Sequence, residues 1–371
     1  MPSAVATILT GLFAPGSPAG RPVTLEWCLM TRRGRPLLLL PRSYRAARQG
    51  MELYAAQRPL AKVARKLLPF ALQSPFRGLL PKVGVSTNTT NDLLKFLATE
   101  AALPPEHLPA PAILLGNQPA DNQRFVLLLL NAQTQPIAVV KCGLTPAAQR
   151  VVEREARMLA SLPTGLPGGL PLSHRLTSPT LSAFAVPYRP GTPPHDTAPR
   201  SEILNAWLHS GPLVPLHSLP TWQTLANRCG ADNLFLTLNA TVGSHLVRPA
   251  IHHGDFAPWN IRVNAAGQWM VVDWERGELN GVPGWDWFHY VIQTALLVER
   301  VSGTALLEKV EAAMQETDFA QYAEAANIRS ICRPLLLAYL LHQNEIIRPG
   351  ESRETGLALQ EQLARIWQLA R

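Results

Sequence analysis

The stretch IHHGDFAPWN, residues 251–260, crowds two histidines, an aspartate and an asparagine into ten positions. The residues after it decide which of these side chains can work together. The segments IRV (261–263) and QWMVV (268–272) read as two short strands around the turn NAAG. A hairpin places the residue before its first strand and the residue after its second at the same end. Those residues are Asn260 and Asp273, and Asp255 lies just upstream on the incoming loop. Two carboxylates and an amide oxygen are hard donors, suited to Mg²⁺ carrying substrate phosphates. His252 and His253 would suit zinc better, but adjacent residues on a helix or a strand do not aim at one ion. Polar capping of a loop and a hairpin is the plain alternative.

His253-Gly254-Asp255, Asn260 and Asp273-Trp274-Glu275 together resemble the catalytic and metal-binding loops of the aminoglycoside phosphotransferase and choline kinase family, whose fold is similar to that of protein kinases. The resemblance implies that Asp255 accepts or orients the proton of a substrate hydroxyl. It implies that Asn260 and Asp273 hold Mg²⁺ on the phosphates of ATP, and that His253 braces the loop. Asp286, which opens a helix in GVPGWDWFHYVIQTALL, resembles the family's aspartate that anchors the catalytic loop. In FAVPYRPG (184–191), the resemblance assigns the backbone from Val186 to Tyr188 to adenine.

Such a lobe also needs a strand lysine paired with a glutamate on the next helix, to position the α- and β-phosphates. Lys141 is the single charge on the apolar strand PIAVVKC, and alternation puts it on a face with Ile137 and Val139. The next helix starts with Thr145 as N-cap and Pro146 at its first position. Its apolar stripe runs through Ala148, Val152, Leu159 and Leu162, and Glu155 falls on that stripe while Glu153 does not. A carboxylate facing a core needs a partner, and Lys141 is the natural one. The segment LLGNQPADNQRF (114–125), where a phosphate-covering loop would lie, departs from the protein-kinase pattern in holding one glycine.

The elements that must position these residues fall into three regions. Residues 1–83 form a basic extension, with strands VTLEWCLMT and PLLLLP, a helix from about Ser43 to Ala56, a basic amphipathic helix at 58–71 and a connector after it. Residues 84–190 form a strand-rich segment, which the resemblance implies is a nucleotide-binding N-lobe. After the linker RPGTPPHDTAPR (189–200), residues 191–371 form a mostly helical C-lobe for catalysis and acceptor binding, broken by one compact β element at 261–273. The expected class is α+β, a two-lobed protein-kinase-like fold, and ligands commonly sit between such lobes.

Composition narrows the function classes. Hydrophobic residues are 47% of the chain and charged residues 16%, which excludes a disordered chain. The apolar runs are too short to span a bilayer, and the N-terminal residues lack the basic region of a secretory signal, so a cytoplasmic protein is expected. Four scattered cysteines indicate neither a disulfide framework nor a zinc site. The net charge of +8 is concentrated in residues 1–83, which hold thirteen Lys and Arg against Glu26 and Glu52. That segment reads as a solvated face, as a contact for an anionic substrate, or as a peripheral attachment to an anionic membrane. Aromatic interleaving is missing, which disfavours nucleic acid. The function expected is ATP- and Mg²⁺-dependent transfer of the γ-phosphoryl group to a hydroxyl of a small molecule: a sugar, an amino alcohol or an aminoglycoside-like compound. The alternatives are a catalytically silent nucleotide-binding scaffold and a protein kinase.

Overall fold

The computed structural model describes residues 2–15, 18–32, 34–54, 81–103, 108–116, 123–194, 198–301 and 303–347. The basic helix expected at 58–71, most of the connector after it, the middle of the segment 114–125 and the chain after 347 lie outside these residues. The chain divides into two units, Met1–Ala160 with Leu170–Arg189, and Ser161–Gly169 with Pro190–Arg371.

Among the described residues, the first unit holds an antiparallel sheet built from β1 (Pro22–Arg32), β2 (Arg35–Pro41), β3 (Lys82–Asn88), β4 (Ala112–Leu114), β5 (Arg124–Leu130), β6 (Pro136–Gly143), β7 (Arg175–Thr177) and β8 (Ser182–Pro187). Their order is β3-β1-β2-β4-β5-β6-β8-β7. The helices of this unit are α1 (Pro2–Leu12), α2 (Tyr44–Gly50), α3 (Asp92–Glu100) and α4 (Pro146–Ser161).

The runs LLLL at 37–40 and 127–130 show no alternation because both faces of the sheet are covered. Leu39, Leu127 and Leu129 pack in one core with Val5, Leu9 and Phe13 from the α1 region and with Leu93, Leu94 and Leu97 of α3. Leu38, Leu40, Leu128 and Leu130 pack in the other with Ala46 and Ala47 of α2. Three outcomes depart from the sequence reading. The connector ends in β3, which runs across position 83/84 and pairs with β1 from Pro22↔Asn88 to Cys28↔Lys82. The apolar N-terminal residues form α1, whose Val5 and Leu9 are fully buried. Ile137 packs against the first core and Val139 against the second, the register of β5 and β6 being shifted beside Leu129/Leu130.

The second unit is mostly helical: α5 (Ala198–Ala206), α6 (Pro220–Cys229), α7 (Asn233–Val242), α8 (Trp285–Gln293), α9 (Thr304–Gln315), α10 (Thr317–Ala325) and α11 (Cys332–His342). All nine residues of α8 are buried, so it is the helix around which this unit packs. Among the described residues, the single β element expected here is one of three two-stranded pairs. β9 (Val214–Pro215) pairs with β10 (Leu246–Val247), β11 (Ala250–His252) with β14 (Glu278–Gly281), and β12 (Ile261–Val263) with β13 (Trp269–Val271). The first two join segments far apart in sequence, which local periodicity does not reveal. The described cysteines are all free, and no described helix is long and apolar enough to cross a membrane.

Candidate active site

Each unit carries its own cluster of candidate residues. In the first, Lys141 sits on β6 opposite Val126 of β5 and Phe184 of β8. The helix that answers it starts within three residues of the strand's end. A Cβ on Gly143 would lie 2.6 Å from the carbonyl carbon of Ala148, so only glycine lets α4 begin this close to β6. Thr145 caps α4 by accepting a hydrogen bond from Ala148 N at 3.2 Å. Glu155 then lies on the buried stripe with Ala148, Val152 and Leu159. Lys141 Nζ donates to both Glu155 carboxylate oxygens at 2.7 Å. Glu153 faces elsewhere and accepts from Ser182 Oγ at 2.7 Å. On β8, Val186 pairs with Val139, and Tyr188 N donates to Ile137 O at 2.8 Å. The backbone of 186–188 is thus fixed against β6, with all three residues partly exposed.

In the second unit, the loop after β11 is held from several sides. Asp286, in the first turn of α8, accepts from His253 N at 2.6 Å and from Gly254 N at 3.0 Å. Gly254 has φ +79°, and a Cβ there would lie 2.8 Å from Arg276 O, so the loop turns where no side chain fits. His253 is fully buried and bridges two segments: its Nδ1 accepts from Asp255 N at 3.2 Å, and its Nε2 faces Val272 O at 3.0 Å. Burial holds the His253 ring below its ordinary pKa against the pull of Asp286, Asp255 and Asp273. A neutral ring with the proton on Nε2 satisfies both contacts. His252 lies beside Asp286, its Nε2 3.4 Å from Oδ1.

Asp255 is gripped at both oxygens. Asn260 Nδ2 donates to its Oδ2 and to its backbone carbonyl, each at 2.9 Å, and His289 Nε2 lies 2.9 Å from Oδ1. Burial pushes this carboxyl up, but the hydrogen bond and charge of His289, with Arg276 and His253 behind them, bring it below the usual value. The group is therefore ionised at neutral pH, and its side chain keeps 26% of its surface exposed.

The hairpin registers Ile261 with Val271, and Val272 N donates to Asn260 O at 2.8 Å. The ends of the two strands are thereby tied together, with Asp273 one residue beyond. Asp273 adopts φ +72°, a left-handed backbone uncommon for a non-glycine residue and typical of functional loops. Because the amide nitrogen of Asn260 is committed to Asp255, its Oδ1 is the atom left to face a cation. That oxygen and a carboxylate are donors that fit Mg²⁺.

The tryptophans mostly build core. Trp274 packs on His253 and Trp207, Trp285 on Tyr339 and His342, and both are fully buried; Trp259 is partly exposed. The sequence reading missed His289, although a signal was present. His289 comes three residues after Asp286 on a helix, so both face the same side. Its second partner, the hydroxyl of Tyr339 on α11, is 2.9 Å from Nδ1, and nothing local points to it.

No curated protein matches the chain. Among solved structures, the chain is similar to aminoglycoside phosphotransferase APH(4)-Ia in ternary complex with ADP and hygromycin B, at 11% identity and a TM-score of 0.46, over 74% of this chain and 98% of that one. It is also similar to a putative fructosamine-3-kinase from Haemophilus somnus, at 14% identity and a TM-score of 0.44, over 74% and 96% of the two chains. A Plasmodium vivax ethanolamine kinase matches at 10% identity and a TM-score of 0.46, over 68% and 82%. The family model described as the phosphotransferase enzyme family matches residues 84–324, well over half of the chain and every candidate residue of the site except Tyr339. With a strand-rich unit carrying Lys141 and Glu155 and a mostly helical unit carrying Asp255, Asn260 and Asp273, the chain has the two-lobed α+β plan and belongs to the phosphotransferase enzyme family.

Proposed function

We propose that the protein transfers the γ-phosphoryl group of ATP to a hydroxyl of a small molecule, with Asp255 as the residue that receives or orients the hydroxyl's proton. The observation that carries this reading is the state of Asp255: ionised, held at both oxygens and still partly open to solvent. A carboxylate in that state can align an alcohol for in-line attack, and most of its contribution is positioning.

Lys141, oriented by Glu155, supplies a fixed positive charge for the α- and β-phosphates. Val186 and Tyr188 offer backbone groups to adenine. Asn260 Oδ1 and the Asp273 carboxylate are the donors that would hold Mg²⁺, which supplies charge neutralisation for the phosphate oxygens when bound. Asp286 and His253 keep the loop in place and take no part in bond making. A small acceptor suits the connection between Asp273 and Asp286, which is short and occupied by β14 and turns, leaving no room for a long regulatory segment.

The test is Mg-ATP consumption by the full chain against a panel of sugars, amino alcohols and aminoglycosides, with wild type and Asp255→Asn compared. Loss of the carboxylate is expected to lower kcat by about 10²- to 10⁴-fold, the usual range for a general acid or base. Undiminished turnover in the variant removes Asp255 from its role. Saturable Mg-ATP binding without turnover on any acceptor supports the competing class, a silent nucleotide-binding scaffold.

A further inference from the structure

We propose that His289, itself held by Tyr339, is a positioning residue that fixes the Asp255 carboxylate in its reactive orientation. The proposal rests on the phosphotransferase reading and adds to it two residues on helices outside the loop. His289 Nε2 lies 2.9 Å from Asp255 Oδ1, placed to donate a hydrogen bond to that carboxylate oxygen. With the proton on Nε2, Nδ1 is free to accept, and the Tyr339 hydroxyl 2.9 Å away is placed to donate to it. The chain of bonds runs in one direction, from Tyr339 to His289 to Asp255.

Both supporting side chains are buried, His289 at 3% exposure and Tyr339 at 1%, so neither reaches a substrate. Their effect passes through Asp255. With Asn260 alone, the carboxylate could turn about its last torsion and keep one hydrogen bond. With Asn260 on Oδ2 and His289 on Oδ1, one orientation satisfies both. The helix α8 therefore holds the loop twice from one face: Asp286 takes the backbone N–H groups of His253 and Gly254, and His289, three residues on, takes the side chain of Asp255. The aromatic packing keeps the ring from swinging, since His289 meets Tyr339 edge-on at 88° with centroids 6.1 Å apart.

A purely structural bond would cost stability and leave kcat per folded molecule unchanged. The test compares wild type, His289→Leu, His289→Gln and Tyr339→Phe as full chains, each first checked for folding by its thermal melt. His289→Leu is expected to lower kcat by about 10- to 100-fold while the KM for ATP stays within about twofold, as for loss of alignment without loss of nucleotide binding. His289→Gln, whose amide nitrogen can still donate to Asp255, should restore most of kcat. Tyr339→Phe should lower kcat less than His289→Leu. A folded His289→Leu with kcat within about twofold of wild type, or a Gln variant no better than Leu, overturns the proposal.

Nitrogen-15 NMR of labelled histidine gives a readout independent of turnover. The His289 signals should report the Nε2–H tautomer in wild type and shift in both Tyr339→Phe and Asp255→Ala. If wild type turns over with no acceptor, the phosphotransferase reading fails by itself. The histidine signals then still decide the relay, since signals unmoved by both substitutions would show that the three side chains are not coupled.

Discussion

The two units hold their charged groups in different ways. In the first, the partly exposed Lys141 and the buried Glu155 form an ion pair whose members lie on adjacent elements, a strand and the helix after it. In the second, Asp255 has no Lys or Arg in contact among the described residues. It is held by the amide of Asn260 and the ring of His289, and its loop by backbone donors to Asp286. The ion pair needs a short chain segment and tolerates no missing partner. The aspartate's network draws on four segments from residue 252 to residue 339 and distributes its hold over many bonds. A pair between a strand and the next helix can be built locally, whereas the hold on Asp255 draws on partners far apart in the chain.

The sharpest way to break this contrast is to remove half of the pair. Lys141→Met takes the lysine away from the buried Glu155 carboxylate and should destabilise the chain by about 3–5 kcal/mol. Denaturant unfolding of Lys141→Met, Glu155→Leu and the double variant checks this. The double variant should regain most of the stability, since two apolar groups can replace a buried pair, yet remain without phosphotransfer. A double variant as unstable as the single one would mean that the pair does more than cancel two charges.

A smaller loss is expected in the second unit. Asp286→Asn keeps the shape and one acceptor oxygen but removes the charge that takes two backbone N–H groups, at a cost of about 1.5–3 kcal/mol in unfolding free energy. Because the bonds there are distributed, the chain should still fold, with kcat reduced. Complete failure to fold would make the network as brittle as the ion pair.

The smallest effect is on pH dependence. Burial, with His252, Arg276 and His289 adding to it, pushes the His342 ring from 6.5 down to about 3. The unfolded chain therefore takes up a proton at this residue below about pH 6.5 while the folded chain stays neutral down to about pH 3. Stability should fall through that window as pH is lowered, and be full above it. His253, also held low by burial, adds to the same trend. Melting temperature measured against pH should decline less steeply for His342→Leu than for wild type. Equal slopes would remove His342 from the acid sensitivity.

How much was legible in the sequence divides along the same line. The cap at Thr145 and the apolar stripe of α4 are local signals, and they led to the pairing of Lys141 with Glu155, whereas strict alternation misplaced Ile137 beside the register shift. The hairpin of β12 and β13 was equally plain, so Asn260 and Asp273 could be brought to one end. The sheet edge at β3 was not legible, because a partner more than fifty residues away in β1 decides whether KVGVSTN is a strand. The pairing of β11 with β14 escaped for the same reason.

By itself the sequence determined which residue types could do phosphoryl chemistry and which short elements would carry them, because spacing on a helix or hairpin is set by backbone geometry. The tertiary structure alone decided how Asp255 is held. Asp286 and His289 meet the loop only when α8 packs beneath it, and Tyr339 reaches His289 only when α11 packs on α8. Those contacts depend on burial of side chains far apart in the chain, which no local pattern encodes.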